Sequence, residues 1–588
     1  MPTESARPRL RDAALIALLS GFLFLYGMNG RTLRESSEGR VARVAQEMLD
    51  TGDWVVPHLN GQARLQKPPL SSWLVALSAR LSSQGQVTTR DALLPEGLAA
   101  VLLVVLVYVW LSRGGEEGAR GSGMLAALAL ATMPGFLAQA RSAEMDMLLT
   151  LATALAFLGY ERYRLDGRRA GLLVFYAALG VGFLVKGPVV LVIVLLPLLA
   201  WRNWTPRGEA QPAAAPGRWK LHLLGLVILL VLVLSWGIPY LLRSGFTWGT
   251  FHQEFLNRFG EEVGHNEPWH YYLGRVPVWL LPWTVLLPFV AWWQWKSPAP
   301  DASQRRRLWW LWLGVNFLVW SVVTSKQRHY ALPWLTPAAL LIGDGLTGMA
   351  REASGELSAR ACAVWGRRFA AVLGVLMAAG LLAAAAIAPR GATPGALVWA
   401  FAAVGALGFV AGALALALGQ GRGLFESWWA GALCAMLLYV NTFEFAADQD
   451  ASPVAFCGQV RDVVPPGARL YDANLATRYS RRGTPDFRRA NILFYLGRNV
   501  AMVDLSATPA PDDLTDKEAE AWMLQRLTQA VDRLLQEGPS VYVLAPTPLC
   551  ERLPAGSYDE PFPGPTTFVG HRWGAHLLQG KAKSGTEP

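Results

Sequence analysis

The chain has 588 residues, 53% of them hydrophobic and only 16% charged, with 25 tryptophans and a formal net charge of +10. Thirteen apolar runs of near-spanning length exclude a string of ordinary soluble domains, because a bilayer crossing takes ~20 mostly apolar residues and no single globular core needs so many such segments. The positive balance does not call for nucleic acid, since basic loops on a membrane protein set its orientation and meet anionic lipid.

The runs are 13–26, 93–111, 125–137, 147–160, 172–185, 189–201, 221–242, 276–295, 308–324, 332–350, 369–388, 396–419 and 430–445. They predict an all-α polytopic membrane bundle of about thirteen transmembrane helices over residues 1–445. The first run follows Arg7, Arg9 and Arg11 with no small-residue cleavage site after it, so it reads as a retained span.

Directly after it the chain turns polar. Val41, Val44, Ala45, Met48 and Leu49 recur at helical spacing, with Arg40, Arg43, Gln46 and Glu47 on the other side and Gly52-Asp53 as a stop. Beyond Lys67-Pro68-Pro69, the residues Leu70, Trp73, Leu74, Leu77 and Leu81 make a second stripe. Two amphipathic helices within 31–92 are expected to lie in the interface plane over the mouth of the bundle. They serve there either as struts or as a lid that holds catalytic groups. Glu38 suits two jobs, a first-turn acid behind the caps Ser36 or Ser37, and a catalytic carboxylate. Asp146 heads an apolar helix, where an acid either starts the helix or serves a site. Lys186, almost alone between two runs, either snorkels or meets an anion.

Numbering the connections alternately from a cytoplasmic N-terminus puts Arg162, Arg164, Arg168 and Arg169 on the inside with Arg202, Arg207, Arg218 and Lys220. Lys296, Arg305, Arg306 and Arg307 fall on the same side, whereas the opposite connections are poor in basic residues. On this count segments 31–92, 141–146, 186–188, 243–275 and 325–330 share the outer face, and so does everything after residue 445. That tail, 446–588, reads as a small soluble α/β domain: "ARLYDA", "NVAMVDL" and "SVYVLAP" are strand-like, residues 514–537 are helical, and the last residues are disordered in composition. Cys457 and Cys550 both lie in it, which would permit a disulfide outside the cytosol.

The stretch "SEGRVARVAQEMLDTGDWVVPHLNG…QKPPL" resembles the first outer loop of the lipid A aminoarabinose transferases. These group with the protein O-mannosyltransferases among the GT-C-type membrane glycosyltransferases that use a polyprenyl-phosphate sugar. "MDMLLT", "LVKGP", "HNEPWHYYLGRVPVWLLPW" and "SKQRHYALPWLTPAALLIG" are similar to later motifs of the family, in the same order. The likeness departs from the family pattern at Ser37, where an Asp-Glu pair is usual before and at Glu38, and at Val41 and Arg43, where Tyr and Glu are common. If the family Asp is the catalytic carboxylate, Ser37 cannot replace it: either Glu38 and Asp146 carry the work, or the chain is a divergent or weakened member.

The resemblance implies transfer of a sugar, 4-amino-4-deoxy-L-arabinose or a hexose, from undecaprenyl phosphate to lipid A or another envelope glycan. An O-mannosyltransferase-like protein acceptor and a flippase for lipid-linked sugar are the alternatives. Such a transfer needs a base, cations for the departing phosphate and a lipid-accessible cavity. Glu38 and Asp146 are the base candidates, and Arg40, Lys67, Lys186, Arg258 and Lys326 the phosphate ligands. Tyr271, Tyr272 and Tyr330 suit sugar contacts, although an aromatic belt would place them equally well. His265 and His329 offer hydrogen bonds or a divalent cation, but no tight ligand spacing marks a metal site, and no other cofactor is expected. The expected partners are the donor lipid, a lipid or glycan acceptor and the bilayer, with no nucleic acid. The expected location is the bacterial inner membrane with the site and tail on the periplasmic side.

Overall fold

A computed structural model describes residues 7–33, 36–64, 67–114, 117–204, 218–245, 267–296, 300–324, 326–351, 357–388, 395–417, 421–444, 453–473, 490–503, 516–554, 558–561 and 575–581. Arg258 and His265 lie outside these residues.

The chain is a helical bundle capped by a small sheet. Helix α1 (Arg7–Leu25) leads to α2 (Ser36–Thr51), the hairpin of β1 (His58–Leu59) and β2 (Gln62–Ala63), and α3 (Leu70–Ser82). The bundle continues through α4 (Thr89–Leu111), α5 (Glu117–Thr132), α6 (Pro134–Ala140), α7 (Asp146–Arg164), α8 (Arg169–Lys186), α9 (Val189–Trp204) and α10 (Arg218–Arg243). Among the described residues five helical segments are long and apolar enough to cross a bilayer: Arg9–Gly30, Thr89–Leu111, Arg169–Lys186, Trp219–Arg243 and Gly395–Ala415. Two bent pairs raise the number to seven. One is the α5–α6 pair, bent by 69° before Pro134, and the other joins Tyr271–Trp279 to Trp283–Lys296 at 100° across Pro282. The expected thirteen therefore do not appear as thirteen long apolar helices. Some runs make short helices such as Val189–Trp204 and Ala371–Ala386, and Pro300–Val322 opens with Asp301 and three arginines. Along α10 the residues Leu223, Val227, Leu230, Val231, Leu234, Ile238 and Leu241 are exposed, an all-apolar face suited to lipid chains.

The C-terminal segment folds α11 (Pro453–Val463), β3 (Arg469–Asp472), α12 (Ala490–Leu496), β4 (Ala501–Met502), α13 (Asp516–Leu535), β5 (Val541–Pro546), β6 (Tyr558–Asp559) and β7 (Ala575–Gly580). The strands form one sheet in the order β4-β3-β5-β7-β6, parallel between β3 and its neighbours and antiparallel at β7. Side chains alternate across it. Leu470, Tyr542, Leu544 and Leu577 face one apolar cluster, and Val541, Val543, Ala545 and Leu578 face the other, beneath α13. Cys457 packs into the first and Cys550 against the second, so the sheet separates them and the disulfide does not form.

The first cluster also contains Val44, Met48 and Leu59, while Val41, Ala42 and Ala45 belong to the bundle core. Helix α2 is thus buried on both faces, between bundle and sheet. This corrects the amphipathic reading, because Arg43 and Glu47 are buried rather than solvated. They persist there because they are satisfied. Arg43 Nε donates to Glu47 at 2.9 Å and Nη2 to Asn499 at 2.7 Å, while Glu47 accepts the Asn60 and Gly61 amides at 2.7 and 3.0 Å. Those amides belong to the Asn-Gly turn of the β1–β2 hairpin, where φ is 57° and 76°, the left-handed pair that this dipeptide supplies. Asn60 in turn donates to the Val500 carbonyl at 2.6 Å and accepts the Val500 amide at 2.8 Å. The Leu33 amide adds a bond to the Tyr495 hydroxyl at 2.6 Å. Helix α2 and the hairpin after it are fastened to the C-terminal segment, at Tyr495 in α12 and at Asn499 and Val500 before β4.

Candidate functional site

The site is built where the head of α2, the turn before α7, the end of α8 and the 3-10 turn Arg328–Ala331 meet. Glu38 lies in the first turn of α2, yet its carboxylate looks outward from that helix. Oε1 accepts from Arg31 Nη2 at 2.8 Å, Ser142 Oγ at 3.1 Å and the Ala143 amide at 3.2 Å. Arg31 also donates to the Arg141 carbonyl, and Arg141 donates to the Phe24 and Tyr26 carbonyls at 3.1 and 2.7 Å. Glu38 therefore ties α2 to the turn before α7, and its role goes beyond that of a first-turn acid.

Asp146 is released from helix-start duty by a residue that the sequence reading passed over. Buried Glu96, in α4, accepts the Met147 and Leu148 amides at 2.8 and 3.2 Å and so caps α7. The Asp146 carboxylate turns instead to Lys186, whose ammonium sits 2.5 Å from Oδ1 with both side chains buried. Lys186 is delivered there by Gly187, whose φ of 75° ends α8, and by Pro188, which cannot extend it. The same ammonium lies 4.8 Å from the Tyr330 ring centroid, and the Lys67 charge bears on both Asp146 and His329.

The His329 imidazole stands between two carboxylates, with Nδ1 3.4 Å from Glu144 Oε2 and Nε2 3.8 Å from Asp146 Oδ2. Burial holds its pKa below the usual value; the two carboxylates pull it up, and Lys186 and Lys67 push it back down. Glu144 was not singled out from the sequence either, and its Oε1 accepts from Ser37 Oγ at 2.7 Å. The only hint was its place two residues before Asp146.

Glu144, Asp146 and His329 offer one donor atom each within 4.8 Å of one another, a set that a divalent ion could use. Lys186 already supplies a cation against Asp146.

The other candidates take different places. Lys326 is buried and donates to the Glu267 carbonyl at 2.8 Å, which anchors the segment before Tyr271 and does not join the acidic cluster. Tyr272 is a core residue, its hydroxyl on the Gln327 carbonyl at 2.9 Å and its ring 5.0 Å from that of Trp334, so it presents no face to a sugar. Tyr271 stacks under the Arg275 guanidinium at 4.0 Å. Arg40 is half-buried on α2.

Residues 66–236 match the family described as dolichyl-phosphate-mannose-protein mannosyltransferase. The undecaprenyl phosphate-alpha-4-amino-4-deoxy-L-arabinose arabinosyl transferase of Pseudomonas paraeruginosa is 32% identical over 363 residues, 59% of this chain and 61% of that protein. Its namesake in Aeromonas salmonicida is 29% identical over 432 residues, covering 71% and 74%. The crystal structure of ArnT from Cupriavidus metallidurans bound to undecaprenyl phosphate superposes with a TM-score of 0.66 at 20% identity, over 98% of this chain and 99% of that one. The chain is similar to these arabinosyl transferases over part of their length.

With its long apolar helices it is a multi-pass membrane protein, and it shares the fold of that crystal structure; the alignment to the first of the relatives spans 61% of that protein's length. The matched family region holds Lys67, Glu96, Glu144, Asp146 and Lys186, while Glu38 and His329 reach the same site from outside it.

Proposed function

We propose that this chain is an integral-membrane glycosyltransferase that moves a sugar, 4-amino-4-deoxy-L-arabinose or a hexose, from a polyprenyl-phosphate carrier to an envelope acceptor such as lipid A. The observation that carries the reading is the buried Asp146–Lys186 pair, with Lys67, Tyr330 and His329 around it, at one end of a lipid-exposed bundle. Breaking the bond from anomeric carbon to phosphate leaves negative charge on the lipid phosphate. Lysine ammonium groups in a water-poor site stabilise that charge far better than bulk solvent does. Arg31 and Glu38 hold the segment leading into α2 against the turn that runs into Asp146, so the two are joined as one unit. A membrane lipid as donor fits the exposed apolar faces of the helices.

The topology belongs to the same proposal: thirteen spans over 1–445, the N-terminus inside, and 446–588 with the site on the periplasmic face of the inner membrane. Reporter fusions after residue 448 are expected to behave as periplasmic, and fusions near Arg207 and Arg306 as cytoplasmic. The deciding assay gives purified full-length protein a panel of labelled undecaprenyl-phosphate sugars with lipid A vesicles and identifies products by mass. Transfer from a nucleotide sugar without the lipid carrier would overturn the reading, as would a wild-type protein inert toward every lipid-phosphate sugar.

A further inference from the structure

The end of the bundle away from the acidic site carries a second concentration of charge. Helix α7 begins at Asp146 and runs to Arg164, a rise of about 27 Å at ~1.5 Å per residue, so its two ends reach opposite sides of a ~30 Å hydrocarbon layer. At the far end the guanidiniums of Arg113, Arg162, Arg168 and Arg305 stand around two carboxylates, Glu161 and Asp166. Both carboxylates are already engaged. Glu161 accepts from Trp110 Nε1 at 3.0 Å and Trp309 Nε1 at 3.1 Å, and Arg305 Nε lies 3.2 Å from it. Arg305 Nη2 also donates to Asp166. Arg162 is 4.0 Å from Asp166, too far for a hydrogen bond, and its Nε is buried with no hydrogen-bond partner. Arg113, among the described residues, hydrogen-bonds no carboxylate. Its guanidinium lies 4.6 Å from the Trp110 ring centroid, and that of Arg162 lies 5.3 Å from the same centroid. Gly167, with φ at 67°, turns the chain so that the Arg168 amide reaches the Arg162 carbonyl at 3.1 Å, which brings a third cation beside the two. Like charges gathered in this way repel, and an anion between them removes the repulsion.

The cluster opens toward lipid. On α4, Leu98 and Leu102 are exposed and Val105 and Val109 partly so, a stripe at helical spacing that ends at the exposed Arg113. Trp110 beside it suits the level where hydrocarbon gives way to headgroups. We propose that this cluster binds an anionic phospholipid of the leaflet facing away from the acidic site, with its phosphate on Arg113 and Arg162, Arg168 beside them, and its acyl chains along the α4 stripe. Guanidiniums suit the task because their fixed fork of donors matches the oxygens of a phosphate. Arg305 neutralises the two carboxylates, which leaves the other three cations for the ligand. A zwitterionic lipid carries the same phosphate, but its own ammonium group competes with the arginines, so the headgroup that fits is one of net negative charge. A lipid so held ties the end of α4 to the end of α7, the helix whose other end carries Asp146. Nothing in this site depends on the reaction at the opposite face.

The test uses full-length protein in neutral detergent, freed of co-purified lipid and titrated with phosphatidylglycerol, phosphatidylcholine or inorganic phosphate, with bound ligand counted by native mass spectrometry. The wild type is expected to take up phosphatidylglycerol saturably and in preference to the other two, and its melting temperature to rise as it does. Arg113→Gln alone should weaken that binding about fivefold, and Arg113→Gln with Arg162→Gln about 30-fold, with the thermal shift lost in the pair. Arg113→Lys, which keeps the charge, should lose less than Arg113→Gln. The control is Lys220→Gln, at an exposed lysine near the start of α10 and at the same end of the bundle, which removes a charge outside the cluster and should bind as the wild type does. Wild-type affinity in the paired variant overturns the assignment. So does an equal loss in Lys220→Gln, which would mean diffuse attraction and no defined site. Inorganic phosphate bound as tightly as phosphatidylglycerol, or phosphatidylcholine bound equally well, overturns the choice of an anionic lipid. If the paired variant does not fold, Arg113→Gln, at an exposed side chain, decides alone: unchanged phosphatidylglycerol binding refutes the site.

Discussion

The clasp between the β1–β2 hairpin and the segment before β4 is open to a graded perturbation at Asn60. Its side chain makes two bonds to the Val500 backbone, at 2.6 and 2.8 Å, and its φ is 57°. Asn60→Gly keeps the backbone angle and deletes both bonds. At ~0.5–1.5 kcal/mol for each, about 1–3 kcal/mol of local stability is lost. Asn60→Ala deletes the same bonds and adds a methyl group in the left-handed region, a further ~1–2 kcal/mol. Since ~1.4 kcal/mol is a factor of ten, amide protection around 58–63 and 499–503 should fall roughly ten- to hundredfold in Asn60→Gly and further in Asn60→Ala. Hydrogen exchange on protein in nanodiscs measures both. Wild-type protection in Asn60→Gly would show that the clasp does not hold the hairpin, and equal loss in both variants would refute the backbone contribution.

Lys186→Met should destabilise the fold by about 3–5 kcal/mol, because it leaves the buried Asp146 charge without its ammonium, and a second change, Asp146→Asn, should restore most of that in a thermal-unfolding double-mutant cycle. Glu38→Gln removes the ion pair with Arg31, at a cost of about 1.5–3 kcal/mol, and should raise hydrogen-exchange rates at the start of α2, read in the same nanodisc assay. His329 titrates below its usual value of 6.5 in the folded state, so the unfolded chain binds that proton first. Its contribution to stability is present above pH 6.5 and is lost as pH falls toward the folded pKa; the melting temperature should drop over that window, and less steeply in His329→Gln.

Much of this molecule was legible in the linear sequence, because it rests on short-range rules. Apolar runs mark helices that meet lipid, the stripe from Val41 to Leu49 marks α2, Lys-Gly-Pro stops α8, and "ARLYDA" and "SVYVLAP" mark strands that pair in the sheet. Asp146, Lys186 and His329 were marked as chemistry-bearing residues, and the structure brings them together. Other assignments turned on partners distant in the chain. Arg43 and Glu47 read as a solvated face because nothing local reveals that a sheet more than 400 residues later covers them. Tyr272 and Lys326 had the right chemistry for a ligand, but a backbone carbonyl claims each polar group. Glu96 and Glu144 drew no notice because neither stands out by spacing. Glu96 matters by capping a helix 51 residues away, and Glu144 by meeting Ser37 at a separation of 107. Local periodicity decides which segments are helices, strands and stops. Which carboxylate meets which cation is decided by close approach between distant segments, since charge interactions depend on distance in space and not along the chain.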